Sequence, residues 1–194
     1  MDLTQGTLKE KTAKAKKTML WFGMISMFMT FAGLTSAFVV SKSRPDWLQD
    51  FQIPPMLFWS TIVIIISSVT IHFAKTAIQN NNKKLGLSLL LVTLVLGISF
   101  IALQFAGFSH ILNVYGYNFT GPTSNVVMSF LYVLVLLHLL HLFSGVIVLL
   151  IVIYNHYKQK YNVGNTLGLE LGVMFWHFLD FLWVYLFLFF YFVK

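Results

Sequence analysis

Glu170-Leu171-Gly172-Val173-Met174-Phe175-Trp176-His177-Phe178-Leu179-Asp180-Phe181-Leu182-Trp183 lies inside one apolar run that extends over positions 166–193. Two carboxylates and an imidazole are embedded there among Leu, Phe and Trp. An ionisable group at membrane depth is expensive unless it is paired or turned towards protein, so such groups mark designed contacts. The run is long enough to cross a bilayer as a helix, which takes about 20 residues. The chain is therefore read first as a membrane protein, and its polar residues as the places to look for function.

The rest of the sequence supports this. Of 194 residues, 58% are hydrophobic and 10% charged, and the mean hydropathy is +0.79; a soluble domain carries about 25% charged residues. Zero Cys excludes disulfides, thiolate metal sites and iron–sulfur clusters. The net charge of +7 does not indicate nucleic acid, because Lys and Arg sit at the ends of apolar runs and not on one continuous surface. The first apolar run is too long for a signal-peptide core of about 7–15 residues and is read as a retained span.

Five runs meet the length requirement: 18–41, 55–79, 84–108, 124–154 and 166–193. The predicted fold is an all-α bundle of five transmembrane helices over 18–194, preceded by a polar, basic segment, 1–17. Pro54-Pro55 suits the first turn of the second helix, where a missing N–H costs little. The longest connection, 113–125, contains Gly116, Gly121 and Pro122. One side of the membrane receives ten Lys (9, 11, 14, 16, 17, 75, 83, 84, 158 and 160), and the other only Lys42, Arg44 and Lys194. This bias predicts a cytoplasmic N-terminus and, with five spans, an outside C-terminus.

Small residues mark helix contacts in lipid, where no hydrophobic drive brings helices together. Span one carries the stripe Gly23, Ser26, Thr30, Gly33 and Ala37. Span two has Ser60, Ser67 and Ala74, and span three Gly86, Thr93, Gly97 and Gln104. Ordinary packing accounts for each of these stripes on its own.

The polar candidates are His72, Gln104, His138, His141, Glu170, His177 and Asp180. Glu170 and His177 are two turns apart and superpose on one face; Asp180 is displaced from them by roughly 80°. Antiparallel packing of spans four and five would gather Glu170, His177 and His141. The residues alone leave three readings open: a structural cluster of interhelical hydrogen bonds and ion pairs, a proton or ion pathway, or axial ligation of haem or metal. The last is disfavoured because His138 and His141 share one helix face. No catalytic nucleophile motif, phosphate-cradling loop or His-Glu-x-x-His motif occurs. On the residues alone, the chain reads as a small multi-pass membrane protein, a subunit more than a solitary enzyme.

Glu170 followed by Trp176-His177-Phe178-x-Asp180-x-x-Trp183 resembles the last helix of haem–copper oxidase subunit III. His138-Leu139-Leu140-His141 followed by Gly145 is similar to that family's His-x-x-His-x-x-x-Gly helix. Pro54-Pro55, Ser67-Ser68-Val69-Thr70, His72 and Ala74 resemble its Pro-initiated helix. Gly97 and Gln104 fit the next, and Phe31-Ala32-Gly33-Leu34 with Ala37 the first. The resemblance covers 18–194 and implies a five-helix, short-form bacterial subunit III in the plasma (inner) membrane. As implied by that resemblance, the chain has no catalytic residue and no haem or copper of its own; these belong to partner subunits. It would pack directly on catalytic subunit I, contact other oxidase subunits and membrane lipids, and support electron transfer from cytochrome c to oxygen with proton pumping. A quinol-oxidising complex is the near alternative, and a small proton or ion transporter a more distant one. Two departures stand out. The family's Ser-Glu pair is Ser26-Met27 here, so no proton-uptake role for that carboxylate carries over. The long form's two additional helices, which help to form a lipid cleft, are absent.

Overall fold

A computed structural model describes residues 7–44, 47–48, 53–116, 125–161 and 166–193. Its order is α1 (Leu8–Val40), a 3₁₀ turn (Ser41–Ser43), α2 (Pro55–Gln79), α3 (Lys83–His110), a π-helical turn (Ile111–Tyr115), α4 (Val126–Tyr157) and α5 (Leu167–Val193). The described residues contain five helices long and apolar enough to span a membrane and no strand. The five-span reading therefore stands.

Local chemistry explains the boundaries. Thr7 caps α1 in a reciprocal box: the Glu10 N–H donates to Thr7 Oγ1 at 3.4 Å, and the Thr7 N–H to Glu10 Oε2 at 2.9 Å. The helix then runs without interruption from the basic segment into the apolar span. The boundary between 17 and 18 is thus one of composition within a single helix of 33 residues, about 50 Å long. Pro55 opens α2. Asn81 ends its turn in the left-handed region (φ 59°), which Asn tolerates, and Asn82 then caps α3. Asn125 caps α4 through the Val127 N–H at 2.9 Å. Positions 117–124 of the anticipated long connection, with Gly121 and Pro122, lie outside the described residues, as do 1–6 and Lys194.

α5 is the organising helix. Half of its most apolar stretch is buried, against 22–33% for the other four. It packs against α1, α2 and α4, while α3 packs on α2 and α4. Trp176 and Trp183 project from one face of α5 and are both 1% exposed. Gly97 of α3 and Gly145 of α4 admit Trp176 and Leu179; a Cβ on Gly97 would sit 2.9 Å from the Trp176 ring. The apolar side chains left exposed, such as Phe22, Val95, Leu140, Phe143 and Phe192, form the surface a bilayer would cover.

Candidate functional site

The polar residues segregate into a seam, an aromatic box and a groove. The seam joins α2 to α5. Trp176 Nε1–H donates to Ser67 Oγ at 3.1 Å, and Trp183 Nε1–H to Thr61 Oγ1 at 3.0 Å. The two indoles are seven residues apart on α5 and their acceptors six apart on α2, a match that antiparallel helices require. Each acceptor hydroxyl passes its own proton to a carbonyl of its helix: Ser67 to Ile64 at 2.8 Å and Thr61 to Leu57 at 2.8 Å. Gln104 extends the seam to α3, donating through Nε2 to Ser60 Oγ at 2.8 Å. Thr70 and Thr93 share a hydrogen bond of 2.9 Å. Ser68 meets His177 Nδ1 at 2.7 Å. Asp180 lies between the two tryptophans, 4% exposed, with neither carboxyl oxygen hydrogen-bonded.

His138 occupies the box. Its ring is fully buried among Phe31, Phe100 and Trp183, with centroids at 6.4, 6.0 and 5.2 Å, and neither ring nitrogen has a hydrogen-bond partner. His141 turns away, bonding the Leu137 carbonyl of its own helix at 2.7 Å and packing on Phe31.

The groove lies at the Lys17 end of α5. Lys17 of α1 reaches Glu170 Oε2 at 2.7 Å, and the Thr166 hydroxyl donates to Glu170 Oε1 at 3.0 Å. Lys75, His72 and His177 line the same depression of about 400 Å³, and the His72 and His177 rings are 6.2 Å apart. It adjoins a largely apolar groove of about 470 Å³ between Trp21, Met24, Ile25 and Phe28 of α1 and Met174, His177, Phe178 and Phe181 of α5.

Glu170 and His177 thus share one groove, as their common face suggests. The carboxylate takes Lys17 as its partner, and His141 joins a different layer, packed with His138 around Phe31. Among the described residues, no three His, Asp or Glu converge as metal ligands. The small-residue stripes divide as well. Ser60, Ser67, Ala74, Gly86, Thr93 and Gly97 are buried between helices. On α1, Ser26, Thr30, Gly33 and Ala37 are exposed and Gly23 partly so, and Cβ atoms added at Gly23 and Gly33 would meet nothing within 4 Å. The α1 face that packs inside the bundle is Met24, Phe31, Thr35 and Phe38.

The family model for cytochrome c oxidase subunit III matches residues 4–194. The chain belongs to that family. Relatives of this subunit III include the cytochrome bo(3) ubiquinol oxidase subunit 3 of Buchnera aphidicola subsp. Baizongia pistaciae, 30% identical over 88% of either chain. The cytochrome c oxidase subunit 3 of Spodoptera frugiperda is 31% identical over 71% of this chain and 87% of its own. The ubiquinol oxidase subunit 3 of Pseudomonas putida is 31% identical over 84% and 74%.

Sequence reasoning on this subunit III missed the tryptophans as polar partners and Thr61 and Lys17 as members of the site. A signal existed for the first two. Trp176 and Trp183 repeat at seven residues on one helix, and Thr61 and Ser67 at six on another. Buried indoles need acceptors, and hydroxyls at the same period on a neighbouring span supply them. Lys17 carried no comparable signal, because its contact depends on α1 continuing as helix beyond the apolar span.

Proposed function

We propose that this subunit III is the cofactor-free accessory subunit of a bacterial respiratory haem–copper oxidase and packs through α1 on catalytic subunit I. The supporting observation is the outward stripe of α1. No described residue packs where a Cβ on Gly23 or Gly33 would point, and in lipid small residues let another helix approach. Haems and copper would reside in partner subunits. The complex would pass electrons from cytochrome c to oxygen and pump protons. Quinol is the alternative donor, favoured by the ubiquinol oxidase subunits among the relatives.

The location is the bacterial plasma membrane, with the N-terminus cytoplasmic and the C-terminus outside, as the Lys/Arg bias of ten to three supports. The apolar groove between α1 and α5, opening towards Lys17 and Lys75, would take an acyl chain of a bound phospholipid with its headgroup at the two lysines. The polar residues of the seam, the box and the groove serve the bundle's architecture and its partner contact. They take no part in oxygen chemistry.

The test is to solubilise the membrane mildly and purify through a tag on this chain. The expected result is co-purification of a haem-bearing catalytic subunit, oxygen uptake with reduced cytochrome c or with quinol, and no Soret band from the chain isolated alone. Stoichiometric haem on the isolated chain, or recovery without any oxidase core, would overturn the reading.

A further inference from the structure

Asp180 has a mid-helix position, an environment and an outlet that distinguish it from the other acidic residue of α5. Around it, the donors a carboxylate would need are already committed. The Trp176 N–H is given to Ser67 and the Trp183 N–H to Thr61, and both of those hydroxyls are given to backbone carbonyls. An ionised carboxylate offers about four acceptor sites; among the described residues neither oxygen of this one is hydrogen-bonded, and the Ser68 hydroxyl lies beside it. No cation pairs with it: among the described residues the one ion pair is Lys17–Glu170.

The titratable groups of the neighbouring elements are accounted for. On α2 they are His72 and Lys75, both lining the groove. On α4 they are His138 and His141, occupied with aromatic rings and a backbone carbonyl, with Tyr132 near its start and Tyr154, His156 and Tyr157 in its last turn. On α1 they are Lys17, held by Glu170, and Lys9, Glu10, Lys11, Lys14 and Lys16 in the turns before it. α3 carries Lys83, Lys84 and His110 only at its two ends. On α5 itself they are Glu170, His177, Tyr185 and Tyr191; the Tyr185 hydroxyl is shared with Thr35 at 2.9 Å, and Tyr191 is exposed near the end of the helix. A buried carboxylate with no counter-charge and one donor is many times more costly than the neutral acid, which needs only one acceptor.

Ser68 supplies that acceptor and also an exit. Its oxygen has two lone pairs and one proton. With the proton directed to His177 Nδ1, a lone pair remains for a carboxylic O–H. His177 is half-buried and lines the groove with His72, Lys75 and Glu170.

We propose that Asp180 is held as a neutral carboxylic acid whose proton exchanges with the Lys17–Glu170 end of the bundle through Ser68 and His177. The exchange is balanced. Asp180 O–H passes its proton to Ser68 Oγ as the Ser68 proton moves to neutral His177 Nδ1. The imidazolium then releases its Nε2 proton to the groove, and the reverse sequence reloads the acid. Asp180 is thus a proton-holding site in the interior of this subunit, separate from the surface pair Lys17–Glu170.

Infrared spectroscopy of the full chain in lipid vesicles at neutral pH tests this. A carbonyl band of a protonated carboxyl is expected, shifted in D₂O and lost completely in Asp180→Asn. The other three aspartates, Asp2, Asp46 and Asp50, lie outside the apolar spans. Wild-type chain carrying ¹³C-aspartate therefore assigns the band even if the variant fails to fold, and a band that ignores the label would overturn the proposal. Ser68→Ala and His177→Phe should keep the band and slow its D₂O shift by about tenfold or more. An unchanged exchange rate in both would remove the route. Absence of any protonated-carboxyl band from the wild type would remove the neutral acid.

Discussion

Two small-residue faces of this chain carry nearly the same sequence signal and meet opposite fates. On α3, Gly97 closes against the Trp176 ring, with the buried Thr93 one turn away bonded to Thr70. On α1, Gly33 faces outward with open space where a side chain would go. Both stripes repeat at helical spacing, and both were read in the sequence as packing surfaces. The difference lies in what stands opposite. α5 offers α3 two large indoles, and no described residue occupies the corresponding position over Gly33. A small-residue period therefore reports that a helix is to be approached closely, and only the tertiary structure tells whether the approaching helix belongs to the same chain.

The sharpest way to break this comparison is to fill both faces alike. Gly97→Leu forces a side chain into the rigid Trp176 indole and should destabilise the chain by about 1–3 kcal/mol, the usual cost of overpacking. Gly33→Leu should leave the isolated chain within about 0.5 kcal/mol of wild type, as expected for an outward site, and yet reduce co-purification with the oxidase core. Thermal unfolding in detergent, followed through tryptophan fluorescence, reads the first effect; subunit recovery after mild solubilisation reads the second. If Gly33→Leu lowers chain stability as much as Gly97→Leu, or leaves recovery unchanged, the two faces do not differ as described.

Trp176→Phe sharpens the closed face further. It keeps most of the ring and deletes the N–H given to Ser67. Ser67 retains its bond to the Ile64 carbonyl, so no donor is orphaned, and a loss of about 0.5–1.5 kcal/mol is expected, the net value of one hydrogen bond. A loss of several kcal/mol in the same unfolding measurement would mean that the indole holds more of the seam than its one bond.

The five spans were legible because each is a long apolar run with polar ends, and the bilayer length sets a threshold that such runs either meet or miss. The start of α2 at Pro55 was legible for the same local reason. The start of α1 was not: residues 8–17 are polar, their composition fits a solvated segment as well as a helix, and what settles it is the Thr7–Glu10 cap and the anchor from Lys17 to Glu170. Of the site, the residue types and faces were legible. His177 and Glu170 do share a groove. Their partners were not legible, because partner choice depends on helix rotation and depth. Those bring Ser68 to His177 and set His138 among Phe31, Phe100 and Trp183.

Among the polar contacts, the smallest expected effect belongs to Glu170. Its carboxylate is embedded in the sequence of an apolar run, and a buried, unpaired ion there would cost several kcal/mol to create or strand. In the structure it stands in the first turn of α5, where a negative charge also complements the helix dipole. Its side chain is 27% exposed and that of Lys17 42%. A pair this open to solvent is worth about 0–1 kcal/mol. Glu170→Gln keeps the length and an acceptor for the Thr166 hydroxyl while removing the charge. The expected loss in chain stability is therefore below about 1 kcal/mol, and it should shrink further as salt is raised. Asp180→Asn should show no such salt dependence, since among the described residues no cation pairs with Asp180. Unfolding of both variants at low and high salt separates the exposed ion pair from the buried acid. A large, salt-independent loss in Glu170→Gln would place that carboxylate in the interior and join the two acidic residues of α5 into one site.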